Sequence, residues 1–318
     1  MVGDNRSAVS EFVLLGLADS HELQLGFFMV FFTLYVAIVL GNLLVILAVT
    51  TDLRLHSPMY FLLANLSVFD LCQASFATPK MIADFLSEHK TISYNGCITQ
   101  IFFIHLFTGG EMVLLVAMAY DRYVAICRPL RYVTIMSRRF CTILVLTSWA
   151  AGFVHTLSQL SFTVHLPFCG PNVVDSFFLD TYVTELLIMA NSGLLSLTSF
   201  LFLLTSYAVI LSTLWLKSSA AMAKALSTLT AHITVVILFF GPCVFIYMWP
   251  FTTYPVDKVL AVFYTVANPI LNPIIYTLRN KDMKAALRHL RTRFCAHSLG
   301  SRQWEQVMLI CYVMNWSY

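Results

Sequence analysis

The sequence predicts an all-α membrane protein, a bundle of seven transmembrane helices followed by a short cytoplasmic amphipathic helix. Hydrophobic residues make up 59% of the 318 residues and charged residues only 11%, and the mean hydropathy is +0.79. A soluble domain carries about 25% charged residues. A chain this apolar must satisfy its backbone hydrogen bonds within lipid, as helices or as a closed barrel. Its long apolar runs mostly lack polar alternation, which excludes the barrel.

Seven such runs approach the roughly 20 residues that cross a bilayer as a helix. In chain order they are Gly26–Thr50, Pro58–Ala83, Cys97–Cys127, Phe140–Phe162, Leu187–Leu216, Leu226–Trp249 and Val259–Leu278. Because the connections are short, we expect a single bundle over residues 26–279. It would lie between an extracellular N-terminus, residues 1–25, and a cytoplasmic helix and tail, residues 280–318.

The distribution of basic residues predicts the orientation. Of the 19 Lys and Arg, 15 lie on one side, in segments 51–57, 128–139, 217–225 and beyond Leu278, together with Arg122. The positive-inside rule then puts the N-terminus outside and the C-terminus in the cytoplasm of a multi-pass plasma-membrane protein. Asn5 begins an outward glycosylation sequon. Residues 281–293 predict a basic amphipathic helix on the lipids of the inner leaflet, and the apolar run 301–314 is too short to span.

The third segment ends in Asp121, Arg122 and Tyr123, directly before the basic stretch 128–139. An acid beside an arginine at a membrane boundary is costly unless the two are partnered, which favours a functional role. The alternative is an interfacial ion pair that merely anchors the helix, since exposed pairs contribute little.

Seven predicted spans, an outside N-terminus and this Asp-Arg-Tyr motif resemble the rhodopsin-like G-protein-coupled receptors. Five further stretches resemble the olfactory receptors within that superfamily. They are Gly41-Asn42, Leu55–Ser67 with Asp70, Ser206-Tyr207, Lys224–His232 and Pro269–Asn280. The resemblance implies an odorant receptor that binds a small, mostly apolar volatile molecule and activates a Gs-type (olfactory) heterotrimeric G protein to raise cAMP.

The resemblance also implies a group of residues that switch between the inactive and active states. Activation would swing the sixth span outward and free Arg122 to meet the α subunit of the G protein. His232 is either a conformational latch or a packing residue. The proposed switch comprises Asp121, Arg122, Tyr123, Tyr207, His232, Asn272, Pro273 and Tyr276.

Asn42, Asp70 and Asn272 resemble the polar cluster that links spans one, two and seven in this superfamily. Glu111 lies ten residues before Asp121 and should be close to Asp70. Two carboxylates at low dielectric cannot both stay charged without help, so they share a proton or hold a cation such as sodium.

The ligand site is expected in the outer half of the bundle, between spans three, five, six and seven. His105, Thr108, Gly109 and Met112 recur at helical spacing on one side of span three. By resemblance this side looks into a mostly apolar pocket with a few hydrogen-bonding groups and no acid for an amine; the alternative for each residue is helix packing. The other predicted contacts are Asn191, Ser192, Leu195, Phe240, Cys243, Val244, Tyr247 and Thr265.

Of the eight cysteines, only Cys97 and Cys169 are predicted to face outward, where disulfides persist. Olfactory receptors usually carry three cysteines in the second outer loop, one of which joins the top of span three. Here Leu179 stands where a cysteine is expected, and about a dozen residues are missing from the loop. Cys169 could substitute as the partner of Cys97. A non-signalling variant is therefore an alternative to a competent receptor.

Several other function classes find no support in the sequence. It has no metal-ligand spacing, no phosphate-binding glycine loop and no nucleophile–base pair, so we expect no enzyme, cofactor, metal centre or nucleic-acid partner. A transporter or channel would show paired halves with broken helices, and no such repeat is present. A chemosensor of the same fold that acts outside the olfactory epithelium remains open.

Overall fold

The computed structural model describes residues 11–14, 20–87, 89–164, 173–174, 182–215, 219–248 and 266–298. Within these ranges the chain forms nine α-helices and three short strands. The helices are α1 (His21–Thr51), α2 (Pro58–Leu86), α3 (Tyr94–Cys127), α4 (Tyr132–Ile135), α5 (Arg138–Val164), α6 (Tyr182–Trp215), α7 (Ser219–Met248), α8 (Asn268–Arg279) and α9 (Lys281–Ser298). The strands are β1 (Glu11–Leu14), β2 (Thr91–Ser93) and β3 (Val173–Val174).

Capping residues explain where the first helices begin. The Ser20 hydroxyl accepts a hydrogen bond from the backbone N–H of Leu23 at 3.3 Å, at the start of α1. Pro58 occupies the first turn of α2, where a missing N–H costs nothing. Ser93 caps α3 by accepting from the N–H of Gly96 at 3.2 Å. The serine caps therefore start α1 and α3 earlier in the chain than the apolar runs predict.

Five helices in the described part of the chain are long and apolar enough to cross a membrane. They cover His21–Thr51, Pro58–Leu86, Tyr94–Cys127, Arg138–Ser161 and Ala190–Trp215. These helices match the first five predicted spans, so the chain is a helical, multi-pass membrane protein. Helices α7 and α8 lie where the sixth and seventh spans are predicted. The predicted start of the seventh span, Val259, lies outside the described residues.

Helix α3 is the central element of the bundle and contacts α2, α5, α6 and α7. Around it α1 packs on α2, α6 on α7, and α8 closes the ring by contacting α1, α2 and α7. The large core cluster runs along α2, α3, α6 and α7, and its fully buried members include Phe69, Leu115 and Phe240. Polar groups carried into this interior by α2, α3 and α8 are consequently shielded from lipid.

Glycines allow α3 and α5 to approach closely. A Cβ atom at Gly152 of α5 would overlap the Leu106 carbonyl oxygen and lie 2.9 Å from the Gly110 nitrogen, both on the backbone of α3. A Cβ atom at Gly110 would lie 2.6 Å from the Phe69 ring. At Gly152 the obstacles are backbone atoms, so only a residue without a side chain fits there, and the close contact between α3 and α5 depends on this fit.

A three-stranded sheet of order β2–β1–β3 lies at the end of the bundle where α3 begins. Strand β1 pairs antiparallel with β2, with Phe12 opposite Ile92, and parallel with β3, with Val13 opposite Val173. No strand was predicted here, because segments of two to four residues are too short for a recognisable alternation. The N-terminal segment therefore connects the start of α3 with the chain that follows α5.

Helix α9 packs on the bundle through an apolar stripe. Met283, Ala286 and Leu290 are buried against α1 and the short turn that follows it. Asn280 caps the helix, because its side-chain oxygen accepts from the N–H of Met283 at 3.2 Å, and it also accepts from the Tyr60 hydroxyl at 3.0 Å. The buried stripe therefore fixes α9 on the bundle, and Tyr60 of α2 helps to hold its start.

Candidate functional site

A buried polar cluster joins α2, α3 and α8. The side-chain nitrogen of Asn272 donates to both carboxylate oxygens of Asp70, at 3.0 and 3.1 Å, and to Oε1 of Glu111 at 3.2 Å. Asp70 and Glu111 have no exposed surface, and Asn272 is 3% exposed. The expected proximity of the two acids is therefore present, because both contact one amide group.

The cluster has fewer donors than acceptors. One amide nitrogen carries two hydrogens, whereas Asp70 and Glu111 together present four oxygens. Oε2 of Glu111 is buried and has no hydrogen-bond partner among the described residues. Two carboxylates in such surroundings are compatible with burial only if a proton or a cation reduces their charge. The oxygen atoms present fit a small hard cation such as sodium.

Asn42 joins α1 to α8 by bonding to a backbone carbonyl that a proline leaves without its usual partner. Pro273 has no N–H, so the carbonyl of Pro269, one helical turn earlier, loses its usual partner. The side-chain nitrogen of Asn42 donates to this carbonyl at 2.9 Å. Gly41 allows the approach, because a Cβ atom there would lie 3.3 Å from Pro273. The motifs Gly41-Asn42 and Pro269–Asn280 thus form one contact.

A second polar site, the Asp121–Arg122–Tyr132 cluster, lies near the C-terminal end of α3. The Arg122 guanidinium donates to Oδ2 of Asp121 at 2.6 and 3.1 Å. The Tyr132 hydroxyl donates to Oδ1 of the same carboxylate at 2.7 Å. The Asp121 side chain is 1% exposed and that of Arg122 is 12% exposed. Both oxygens of the Asp121 carboxylate are therefore hydrogen-bonded, and Arg122 is engaged by a residue of its own chain.

Tyr132 is the member of this cluster that sequence reasoning missed. It begins α4, in the connection between α3 and α5, eleven residues after Asp121. Burial, followed by the charge of the Asp121 carboxylate, raises the pKa of Tyr132 well above its ordinary value. The hydroxyl therefore remains a donor at neutral pH. A tyrosine in a basic loop carries no signal by itself, because the contact depends on how the chain turns after α3.

The remaining predicted switch residues come from α3, α6, α7 and α8. The Tyr207 hydroxyl of α6 contacts Nδ1 of His232 on α7 at 2.7 Å, and both side chains are buried. The Tyr276 hydroxyl is also buried and has no hydrogen-bond partner in the described ranges. Tyr123 is partly buried, with its ring 6.2 Å from that of Tyr120. His232 is thus bonded to Tyr207 and joins α6 to α7.

Two of the predicted pocket residues of α3, His105 and Gly109, lie against α5. His105 is partly buried, and its ring lies 5.8 Å from that of His155 on α5. Met112 is buried at 3% exposure, and Thr108 is partly buried. The interpretation of Gly109 as part of a pocket-lining side needs correction: a Cβ atom there would point at α5, 3.0 Å from the His155 ring. Gly109 therefore serves helix packing.

The predicted residues of α6 and α7 lie in polar and aromatic surroundings. Ser192 is 8% exposed and accepts a hydrogen bond from Gln159 of α5. The side-chain nitrogen of Asn191 is buried without a hydrogen-bond partner in the part of the chain that the structure describes. Phe240 is fully buried and stacks on Phe200 at 5.9 Å. Leu195 is partly buried and Cys243 is 3% exposed.

Some predicted positions lie outside the described residues. They are Asn5, Cys169 and Thr265 and the side chains of Val244 and Tyr247. Cys97, in the first turn of α3, is 8% exposed and has no disulfide partner among the residues described. The Cys97–Cys169 bond and glycosylation at Asn5 therefore stay predictions.

Comparisons with known proteins show which family the chain belongs to. The family model for olfactory receptors matches residues 31–293. The chain belongs to the olfactory receptor family. It is similar to the human olfactory receptor 4K5, with 68% identity over 96% of this chain and 97% of that protein. It is also similar to the human olfactory receptors 4K15, at 67% identity over 91% and 93% of the two chains, and 4K1, at 59% over 92% and 98%.

Membership of this family establishes the class of function. Olfactory receptors are G-protein-coupled receptors, so the chain is a membrane receptor for odorants with a G protein as signalling partner. The family is one of receptors and not of enzymes.

Proposed function

We propose that this olfactory receptor binds a small, mostly apolar volatile molecule in the outer half of its bundle and couples to a Gs-type G protein, raising cAMP. The observation that carries this proposal is the closed Asp121–Arg122–Tyr132 cluster. An arginine held by partners within its own chain is not available to another protein. A ligand that prefers an open state shifts the population towards it, to the extent of its differential affinity.

The proposed architecture has seven spans within residues 26–279, with α7 and α8 in the sixth and seventh. The apolar stretch His232–Cys243 within α7 supports the sixth span. The excess of basic residues on one side favours an extracellular segment 1–25 and a cytoplasmic segment 280–318. The polar cluster that ends α3 would then face the cytoplasm, where a G protein binds.

Helix α9 would lie along the inner leaflet. Its buried stripe leaves basic side chains exposed on the opposite side, namely Lys281, Lys284, Arg288 and Arg291. Basic side chains beside a membrane surface are attracted to anionic lipids, by about 1 kcal/mol each. Contacts with both the bundle and the lipid would fix the position of the helix relative to Arg122.

The proposed ligand contacts combine apolar walls with a few polar groups. Phe240 and Leu195 supply apolar surface, and Asn191 and Thr108 supply hydrogen-bonding groups. The buried amide nitrogen of Asn191 lacks a partner in the described residues, which a ligand oxygen would provide. Sites of this composition suit small molecules with one polar group.

The test is an odorant panel applied to cells that express the full-length receptor with an extracellular epitope tag. Surface labelling and cAMP are measured on the same cells, with the Arg122→Ala variant as the coupling-deficient control. We expect at least one odorant to raise cAMP in wild-type cells and not in the control. Dependence on a Gs-type α subunit is checked in cells that lack it, where the response should disappear.

Two results would contradict the proposal. One is a receptor that reaches the surface but does not raise cAMP in response to any odorant of the panel. It would be the non-signalling variant suggested by the shortened loop. A response that persists without the Gs-type subunit would show coupling to another G protein. In either case the family assignment would stand and the coupling would be revised.

We expect Tyr132→Phe to raise basal cAMP several-fold in the absence of odorant. The variant removes a hydrogen bond to a carboxylate, worth about 1.5–3 kcal/mol, so Asp121 holds Arg122 less firmly. The measurement is basal cAMP normalised to surface receptor. Tyr120→Phe is the matched control, because the Tyr120 hydroxyl makes no hydrogen bond in the described part of the chain. Equal basal activity in both variants would assign Tyr132 a packing role only.

We expect Asp70→Asn and Glu111→Gln each to change basal cAMP and its dependence on sodium concentration. Each variant removes one of the two charges that a proton or cation must balance. Basal and odorant-stimulated cAMP are measured in membranes across a sodium series, with exposed Glu22→Gln as the control. Wild-type responses from both variants at every sodium concentration would mean that the buried acids do not take part in switching.

A further inference from the structure

Two histidines from neighbouring helices meet inside the bundle. The rings of His105 on α3 and His155 on α5 have centroids 5.8 Å apart and planes inclined by 44°. His155 is only 8% exposed and His105 is partly buried. Imidazole is the commonest metal ligand in proteins, so a buried pair from two helices invites the question of a shared ion.

The hydrogen bond of His105 leaves one ring nitrogen available to a metal. Nδ1 of His105 lies 2.9 Å from the backbone oxygen of Ile101. Because a carbonyl oxygen only accepts, Nδ1 carries the hydrogen and Nε2 carries the lone pair. Metal-binding histidines are held in this way, with one nitrogen donating to a carbonyl or carboxylate and the other bound to the metal.

The spacing and the freedom of His155 suit one zinc ion. Two imidazoles that bind the same Zn²⁺ at about 2.0–2.1 Å have ring centroids roughly 5–6 Å apart. In the described part of the chain His155 makes no hydrogen bond, so a change of rotamer can aim a nitrogen at the ion. Gly109 provides the room, since a side chain there would contact the His155 ring.

We propose that His105 and His155 bind one Zn²⁺ ion between α3 and α5. No group of three or more His, Cys, Asp or Glu that could hold a metal occurs among the described residues. The protein therefore supplies two ligands, and the remaining coordination positions take water, hydroxide or a small exogenous ligand. The ion would clamp α3 to α5 beside the glycine contact. This proposal goes beyond odorant signalling and does not depend on it.

The test uses the full-length receptor in lipid nanodiscs, purified without a histidine tag and first treated with EDTA. Zn²⁺ is titrated while the unfolding temperature is followed, and we expect a saturable increase for the wild type. His105→Gln and His155→Gln should each weaken Zn²⁺ affinity at least about tenfold, because loss of even an outer-shell partner commonly costs that much. The control replaces the exposed histidines by glutamine, namely His21, His56, His89 and His289, and should keep wild-type affinity.

A second measurement guards against variants that do not fold. Cu²⁺ is bound to the control protein, and its electron paramagnetic resonance spectrum counts the coordinating imidazole nitrogens. We expect two nitrogens. A single nitrogen, unchanged Zn²⁺ affinity in both histidine variants, or loss of binding in the control would overturn the proposal. None of these readouts requires an odorant response, so failure of the proposed signalling function would leave the result interpretable.

Discussion

Arg122→Ala is expected to reduce odorant-stimulated cAMP to the basal level while leaving most of the receptor at the cell surface. The guanidinium makes two hydrogen bonds to Asp121 in the closed arrangement, and in the open state we propose that it contacts the G protein. Alanine supplies neither a charge nor a donor for that contact. The measurement is the cAMP response to an active odorant, normalised to surface receptor.

Arg128→Ala is the matched control for this prediction. Arg128 is exposed and lies in the basic stretch that follows α3, so its replacement removes the same charge outside the cluster. We expect that variant to keep most of the wild-type response. An undiminished cAMP response in Arg122→Ala, at equal surface expression, would remove the central role given to Arg122.

Gly152→Ala is expected to cause the largest loss of folded receptor. The added methyl group would overlap the Leu106 carbonyl and lie 2.9 Å from the Gly110 nitrogen. These are backbone atoms of α3 and cannot rotate aside as a side chain can. Alanine gains about 1 kcal/mol in helix propensity over glycine, but overpacking costs about 1–3 kcal/mol or more. We expect the overpacking to exceed the gain in propensity and to lower both surface expression and the unfolding temperature.

Gly241→Ala separates this steric effect from helix propensity. Gly241 lies within α7, and a Cβ atom there would meet nothing within 4 Å. The substitution should leave stability unchanged or raise it slightly. If Gly152→Ala folds and unfolds like Gly241→Ala, the close contact between α3 and α5 is not needed for stability.

The predicted spans show how much of the fold can be predicted from the pattern of apolar residues. The first five agree with five membrane-capable helices, since runs of this length and composition favour a helix whatever packs beside them. Their starts were less well predicted, because caps such as Ser93 are polar and lie outside the apolar run. The strands β1–β3 were missed for a related reason: their pairing joins segments far apart in the chain, and no local pattern records it.

The candidate site was predictable where a motif places a polar residue in an apolar helix, because such a residue needs a polar partner. Asp70, Glu111 and Asn272 are polar residues in apolar helices, and burial forces such groups to find one another. Asn42 is also a polar residue in an apolar helix, and its partner is the Pro269 carbonyl, which lacks a backbone donor because Pro273 has no N–H. Gly109 was misinterpreted because helical spacing identifies a common side of α3 but not the helix that this side contacts.

The sequence by itself determined the class of the protein, the positions of the first five spans and the identity of its two polar clusters. These follow from the free-energy cost of placing backbone and charged groups in lipid, and that cost depends on the residues of each segment alone. Only the tertiary structure decided that Tyr132 completes the Asp121–Arg122 pair and that His105 meets His155 beside Gly109. Those contacts depend on how one helix is rotated and packed against another. That arrangement is set by the summed fit of many side chains, and no single segment encodes it.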